Sequence, residues 1–298
     1  MIKPTVGDRR SAAADRWPNE EALGLEMTRP VFAKKSLGQN FLIDLSYVRK
    51  IVDALDLVES DTVVEIGPGR GAITEHLVES GARVIAIELD RELVPQLRAQ
   101  FAETTNFRVV EADATEVNLE ALLFDNRVAA APGSDTPRGT KLVANLPYYI
   151  STQILQHLST QRHLFERLVL MFQKEVVDRI TAKPGESERG FLTILVDAAF
   201  EVDALFDVPP NAFRPVPKVT SSVARFTPKP SQISDEKVFR RLVSTGFAQK
   251  RKTILNNLKG VYSLAESALE QSGIDPQQRA ETLTLEEWIL LSTKINES

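Results

Sequence analysis

The chain has 298 residues, 43% of them hydrophobic and 26% charged, with a net charge of −5 and no cysteine. Such a composition fits a globular protein, and the missing cysteine excludes disulfides, thiolate metal sites and cysteine nucleophiles. No run of about 18 apolar residues suggests a membrane span, and no basic-then-apolar leader opens the chain. A cytoplasmic protein with no membrane partner is therefore expected, and three scattered histidines, His76, His157 and His163, speak against a metal site.

Residues 1–29 are polar, mixed in charge and without apolar periodicity, which predicts a disordered or loosely docked extension. Lys34 to Leu42 is basic and turn-rich and leads into a helix over Tyr47–Leu55, with Asp44 or Ser46 as candidate caps. A β-branched strand, Val63–Ile66, then runs into Gly67-Pro68-Gly69-Arg70-Gly71 and a helix carrying Ile73, Leu77 and Val78. Glycines at such a turn let backbone approach a ligand closely, and the helix start beyond offers free N–H groups. A structural strand-to-helix turn would look similar. A dinucleotide fingerprint wants a third glycine spaced further on, whereas this turn is led by the acid Glu65, which suits a ligand with positive charge such as the amino acid end of S-adenosylmethionine (SAM).

A second strand, Val84–Ile87, ends in Glu88-Leu89-Asp90, with Glu88 lying 21 positions after Gly67. Nucleotide folds place an acid there to accept both ribose hydroxyls; Asp90 fits better as the acid that starts the helix Leu93–Phe101. The third strand, Phe107–Val110, leads to Asp113, either an acceptor for an adenine amino group at the ligand edge or a plain turn aspartate. Asp125–Thr140 reads as a loop without legible chemistry. A fourth strand, Lys141–Ala144, ends in Asn145-Leu146-Pro147-Tyr148.

That tetrapeptide suits activation of an exocyclic adenine amine, whose lone pair is delocalised into the ring. Accepting one N–H on the Asn145 side-chain oxygen and the other on a backbone carbonyl such as that of Leu146 draws the lone pair out of conjugation. Pro147 stiffens the loop, and Tyr148 offers a stacking face worth roughly 1–3 kcal/mol.

Arg167–Met171 reads as a fifth strand, Glu175–Ala182 and Phe191–Ala199 as helices, and Ala204–Val208 as a sixth strand. A stiff loop, Pro209–Pro217, and a seventh strand, Val219–Phe226, follow. Helices alone are expected past Pro230: Val238–Phe247, Ile254–Leu258, Leu264–Leu269 and Glu286–Leu291. Between Val208 and Ala265 stand eleven basic residues and two acids, a balance of +9 that leaves −14 for the rest of the −5 chain. Such polarity suits docking one face on phosphate.

Taken together these motifs resemble those of the ribosomal RNA adenine dimethyltransferase family, over about Lys34 to Trp288. The shared stretches include Gly38–Leu42, Glu65–Gly69, Glu88–Asp90, Asn145–Tyr148, Gln173–Val177, Phe213–Val219, Gln249–Thr253 and Gly273–Pro276. The resemblance implies a class I SAM-dependent methyltransferase: a Rossmann-like seven-stranded α/β sheet over 30–228 and a small all-helical RNA-binding domain over 229–298. It implies dimethylation of two adjacent adenosines near the 3′ end of small-subunit ribosomal RNA, within a pre-ribosomal small subunit, by a monomer. Carried over, the cofactor contacts are Gln39, Asn40, Leu42, Glu65, Gly67, Gly69, Glu88, Leu89, Asp113, Ala114 and Asn145. The reacting group is Asn145 to Tyr148, with Phe213 as a second aromatic sandwiching the base. Arg214, Lys218, Lys250, Arg251 and Lys252 are the RNA contacts, and no metal is implied. Tyr149 and Arg189 depart from the family pattern, and rival readings are a large-subunit enzyme, a non-catalytic assembly factor and a nicotinamide dehydrogenase.

Overall fold

A computed structural model of the protein describes residues 33–34, 37–125 and 139–297. The expectations for residues 1–29 and for 126–138 lie outside them. Five parallel strands form in chain order, β2 (Thr62–Ile66), β3 (Arg83–Glu88), β4 (Phe107–Glu111), β5 (Thr140–Asn145) and β6 (Arg167–Gln173), after a two-residue strand β1 (Phe41–Leu42). The near-continuous Val, Ile and Leu content of β2, β3, β5 and β6 suits strands buried on both faces, whereas β4, at the sheet edge, is only partly buried. Two more strands, β7 (Phe200–Val208) and β9 (Ser221–Pro228), complete a seven-stranded sheet in the order β4-β3-β2-β5-β6-β9-β7, with β9 antiparallel to both neighbours. The expected mostly parallel sheet is therefore present. A short β8 (Phe213–Arg214) pairs with β1 outside it.

Strand alternation sorts side chains to the two faces. Val63, Val84, Val143 and Val169 meet α1 (Leu45–Leu55) and α2 (Ala72–Glu79), while α3 (Leu93–Gln100) packs on Ala86 and Val109. Val64, Ile66, Leu142 and Leu168 meet α4 (Leu119–Asp125), α5 (Ser151–Thr160), α6 (Lys174–Ile180) and α7 (Phe191–Ala199) on the other face. Asp44, not Ser46, caps α1: its Oδ1 accepts from the Ser46 amide at 2.9 Å.

Strand β7 begins four residues earlier than expected because α7 passes into it with no turn residue between. Phe200 is already extended, at φ −140° and ψ 149°. Helix α5 is not among the expected elements, although Ile154, Leu155 and Leu158 carry its period.

The last helices are α8 (Glu236–Gly246), α9 (Ile254–Leu258), α10 (Ala265–Gln271) and α11 (Leu285–Glu297). They close round Trp288, Phe239 and Leu242, a cluster that also takes in Ile194 and Leu195 of α7. Apolar but for Thr193 and half-exposed Asp197, α7 is buried between sheet and bundle. Buried Arg189 adds a polar tie, donating to the carbonyls of Ala182 at 2.9 Å and Leu283 at 3.2 Å. The described residues make one compact unit.

Candidate active site

The chain leaves β2 outward through β3 and β4, then returns to β2's other side as β5. Open α/β sheets bind ligands at such a reversal, beyond the strands' carboxyl ends. Here a cleft of about 770 Å³, solvent at its mouth included, lies at that position, lined from the glycine turn, the ends of β3, β4 and β5, and the 37–41 segment.

Gly67 and Gly69 make the turn, with φ of 69° and 59°, values at which any side chain would be strained. The Gly67 amide donates to the Ile87 carbonyl at 2.9 Å, and the Gly69 amide donates to Glu88 Oε2 at 3.2 Å. A Cβ at Gly69 would press on the Phe41 ring at 3.0 Å. At the end of β3, Glu88 also accepts the Asp90 amide on Oε1 at 2.8 Å. Burial pushes its carboxyl up, against the pull of the Asp90 and Gly69 amides. Asp113 holds its turn by accepting from the Thr115 amide (2.8 Å) and hydroxyl (2.6 Å) on Oδ1. The cleft thus carries two acids, and no lysine or arginine among the described residues lines it. Such a wall suits a cationic ligand and disfavours a pyrophosphate.

Asn145 ends β5 beside the glycine turn: its backbone oxygen lies 3.7 Å from where a Cβ on Gly67 would sit. Its Nδ2 donates to the Asn40 carbonyl at 3.1 Å. A carbonyl only accepts, so the amide's NH2 end faces Asn40 and its oxygen remains to accept from elsewhere. Leu146, Pro147, Tyr148 and Tyr149 continue the wall. The Tyr148 hydroxyl lies 2.8 Å from Ser221 Oγ, and burial pushes its phenol pKa up. Tyr149 stands exposed at the cleft.

The structure therefore brings Gln39, Asn40, Gly67, Gly69, Glu88, Leu89, Asp113, Ala114 and Asn145 to Tyr148 to one cleft. Three expected members do not line it. Glu65 shares the strand face of Val63, points toward α2 and accepts the Thr74 hydroxyl at 2.7 Å. It is 2% exposed, and burial first, then the Glu88 charge, pushes it up to about 8. Leu42 and Phe213 face each other across the β1–β8 ladder and are buried in the same apolar cluster, so Phe213 has no ring face left for a base. Gln39 lines the cleft, yet its amide already accepts from the Lys34 amide and donates to Asp90, both at 2.8 Å.

Arg214 is exposed on β8, its guanidinium donating to the carbonyls of Asn211 and Phe213. Lys218 is exposed nearby. Lys250, Arg251 and Lys252 are exposed on the turn between α8 and α9, where Lys250 also donates to the Ser187 carbonyl. Leu37, Phe41, Ile66, Ile87, Ile150 and Ile154 line the cleft and are not among the site residues expected from sequence, and Tyr149, expected only as a departure from the family pattern, lines it too. The strand-end position of Ile66 and Ile87, the residues just before Gly67 and Glu88, was the available signal.

No helix among the described residues is long and apolar enough to cross a membrane. A profile of the ribosomal RNA adenine dimethylase family matches residues 32–297. The ribosomal RNA small subunit methyltransferase A of Geobacter metallireducens is 43% identical over 269 residues, covering 87% of this chain and 94% of that protein. The protein of the same name from Moorella thermoacetica is 43% identical over 278 residues, covering 91% and 95%. Among solved structures, a dimethyladenosine transferase from Plasmodium falciparum superposes with a TM-score of 0.71 at 27% identity, covering 86% of this chain and 98% of that one.

Proposed function

Because this chain belongs to the ribosomal RNA adenine dimethylase family, we propose that it dimethylates the exocyclic amines of two adjacent adenosines near the 3′ end of small-subunit ribosomal RNA, using SAM. The Asn145 amide carries the reading: tied through Nδ2 to Asn40, it presents an oxygen in the cleft where an amine N–H can donate.

The cleft fits SAM chemically. Glu88 offers two oxygens for a ribose diol, Asp113 an acceptor for an adenine amino group, and a wall without lysine or arginine among the described residues suits a sulfonium. Leu89 and Ala114 add apolar surface for the adenine. When bound, SAM supplies an electrophilic methyl group.

Asn145 and the Leu146 carbonyl accept the two amine hydrogens, freeing the nitrogen lone pair for in-line attack. Glu88, Asp113 and Asn145 would hold SAM, whose methyl group the amine nitrogen would accept while its proton leaves to water. Positioning of this kind supplies much of the barrier reduction. Tyr148 offers a ring face for the base, as expected from sequence, and exposed Tyr149 offers a second, the part assigned from sequence to Phe213. Adenosine is taken from a loop or strand end, where unstacking costs least. Lys218 and the Lys250–Lys252 turn hold RNA phosphates, with Arg214 beside them, and residues 229–298 serve as the RNA-gripping part. The substrate is a pre-ribosomal small subunit and the acting form a monomer.

Purified protein incubated with methyl-labelled SAM and undermethylated small subunits tests this. Dimethyladenosine in small-subunit RNA is the expected product. Label confined to large-subunit RNA, or none in the presence of bound SAM, overturns the proposal.

A further inference from the structure

Asp90 is 2% exposed, lies next to the cleft without lining it, and collects more bonds than starting a helix requires. Its Oδ1 accepts the Glu92 amide at 3.0 Å, the ordinary bond of a residue at a helix entry. The same oxygen also accepts Lys34 Nζ at 2.7 Å, and Oδ2 accepts Gln39 Nε2 at 2.8 Å. Lys34 reaches Glu92 as well, at 3.0 Å. The ring closes through Gln39, whose Oε1 accepts the Lys34 amide at 2.8 Å. Burial, the largest single influence on Asp90, pushes its carboxyl up; Lys34 and Gln39 more than offset it and hold the group ionised, below the usual carboxylate range. Charge-assisted bonds of this length are about twice as strong as neutral ones.

What the ring holds is the residue after Gln39. The Asn40 carbonyl is the acceptor that sets the Asn145 amide, and Asn40 Nδ2 folds back on the Gly38 carbonyl at 3.2 Å. From Asp90 to the Asn145 oxygen there is a continuous path of hydrogen bonds and one peptide link.

We propose that Asp90, with Lys34 and Gln39, is a positioning residue for methyl transfer: it fixes the Asn40 carbonyl and thereby the orientation of the Asn145 amide toward the target amine. The proposal rests on the adenine dimethylation reading. It reassigns Gln39, whose amide serves Lys34 and Asp90 rather than a ligand. A misplacement of about 1 Å at a reacting group costs on the order of 100-fold in rate, so a loosened carbonyl is felt in turnover.

Lys34→Met and Asp90→Asn, alone and together, are compared with wild type in single turnover at saturating SAM on undermethylated small subunits. Each single variant loses about tenfold or more in rate, with RNA affinity within about twofold of wild type. The double variant is no slower than the slower single one, because both act through one ring. Lys34 is one-third exposed, so its variant keeps the test standing should Asp90→Asn fold poorly. Single variants at wild-type rate, losses that multiply in the double variant, or losses that vanish as SAM is raised each overturn the proposal. A wild type that labels no small-subunit RNA overturns the activity reading itself; a fully active wild type with equally active variants overturns only the positioning role.

Discussion

Replacing Asn145 by alanine separates binding from chemistry. The change removes the acceptor for one amine hydrogen, a group aimed at charge that develops in the transition state. Groups of this kind are worth about 2.7–4 kcal/mol, or 10²–10³ in turnover. The side chain's other bond, from Nδ2 to the Asn40 carbonyl, stabilises the fold rather than the reaction. Losing it costs about 1 kcal/mol, a fall of about 2–4 °C in Tm for a chain of this size. Cofactor affinity loses no more than one neutral hydrogen bond, about 0.5–1.5 kcal/mol or roughly tenfold at most. The rate should therefore fall much further than either stability or SAM affinity. Single-turnover transfer at saturating SAM, titration calorimetry and thermal melting read the three quantities on one preparation. A transfer rate within about threefold of wild type, with SAM bound, would refute the amine-holding role.

Three further outcomes are expected. Glu65 has its pKa raised from 4.5 to about 8 on folding, so its contribution to stability is complete in acid and lost as pH rises through that interval; Glu65→Gln should match wild type below pH 4.5 and gain on it toward pH 9 in denaturant titrations, and parallel pH curves would count against a neutral buried carboxyl. Ser221→Ala removes the hydroxyl 2.8 Å from the Tyr148 phenol; kcat/KM for RNA should drop several-fold with SAM affinity kept, and the same change made on Tyr148→Phe should do nothing more. Lys250→Glu with Arg251→Glu should weaken RNA binding, spare cofactor binding and lower the slope of log affinity against log salt by about 0.7–0.9 for each phosphate the protein no longer neutralises, a slope measured by filter binding at four salt concentrations.

The parallel strands were legible because a strand buried on both faces leaves a run such as Val63–Ile66 or Leu168–Met171, which few other structures require. The cleft was legible in outline for a related reason: its polar residues, Glu88, Asp113 and Asn145, each follow such a run, at the end where an open sheet binds ligands. Glu65 was misplaced although period-two alternation sets it on the face of Val63 and so toward Thr74. Phe213 illustrates a different limit. Its burial is decided by pairing with Leu42, a contact between segments far apart in the chain, and nothing in its own neighbourhood encodes that. The Asp90 ring failed to show for the same reason, since Lys34 and Gln39 are more than fifty residues away. Helix α7 ran on into β7 unannounced because neither glycine nor proline marks the change at Phe200.

Helix α7 has a bearing on how RNA must be presented. Ile194 and Leu195 belong to the bundle's interior, while Leu192 and Val196 belong to the sheet's. The seam is mainly hydrocarbon, bordered by the Arg189 tie and the Lys229–Asp197 pair, and the structure holds the Lys250 turn and Asn145 at one span, like a calliper at one opening. If the Lys250 turn grips RNA as proposed, the RNA must bridge that span for an adenosine to reach the cleft, and a helix-end loop of the wrong reach would be gripped without being modified.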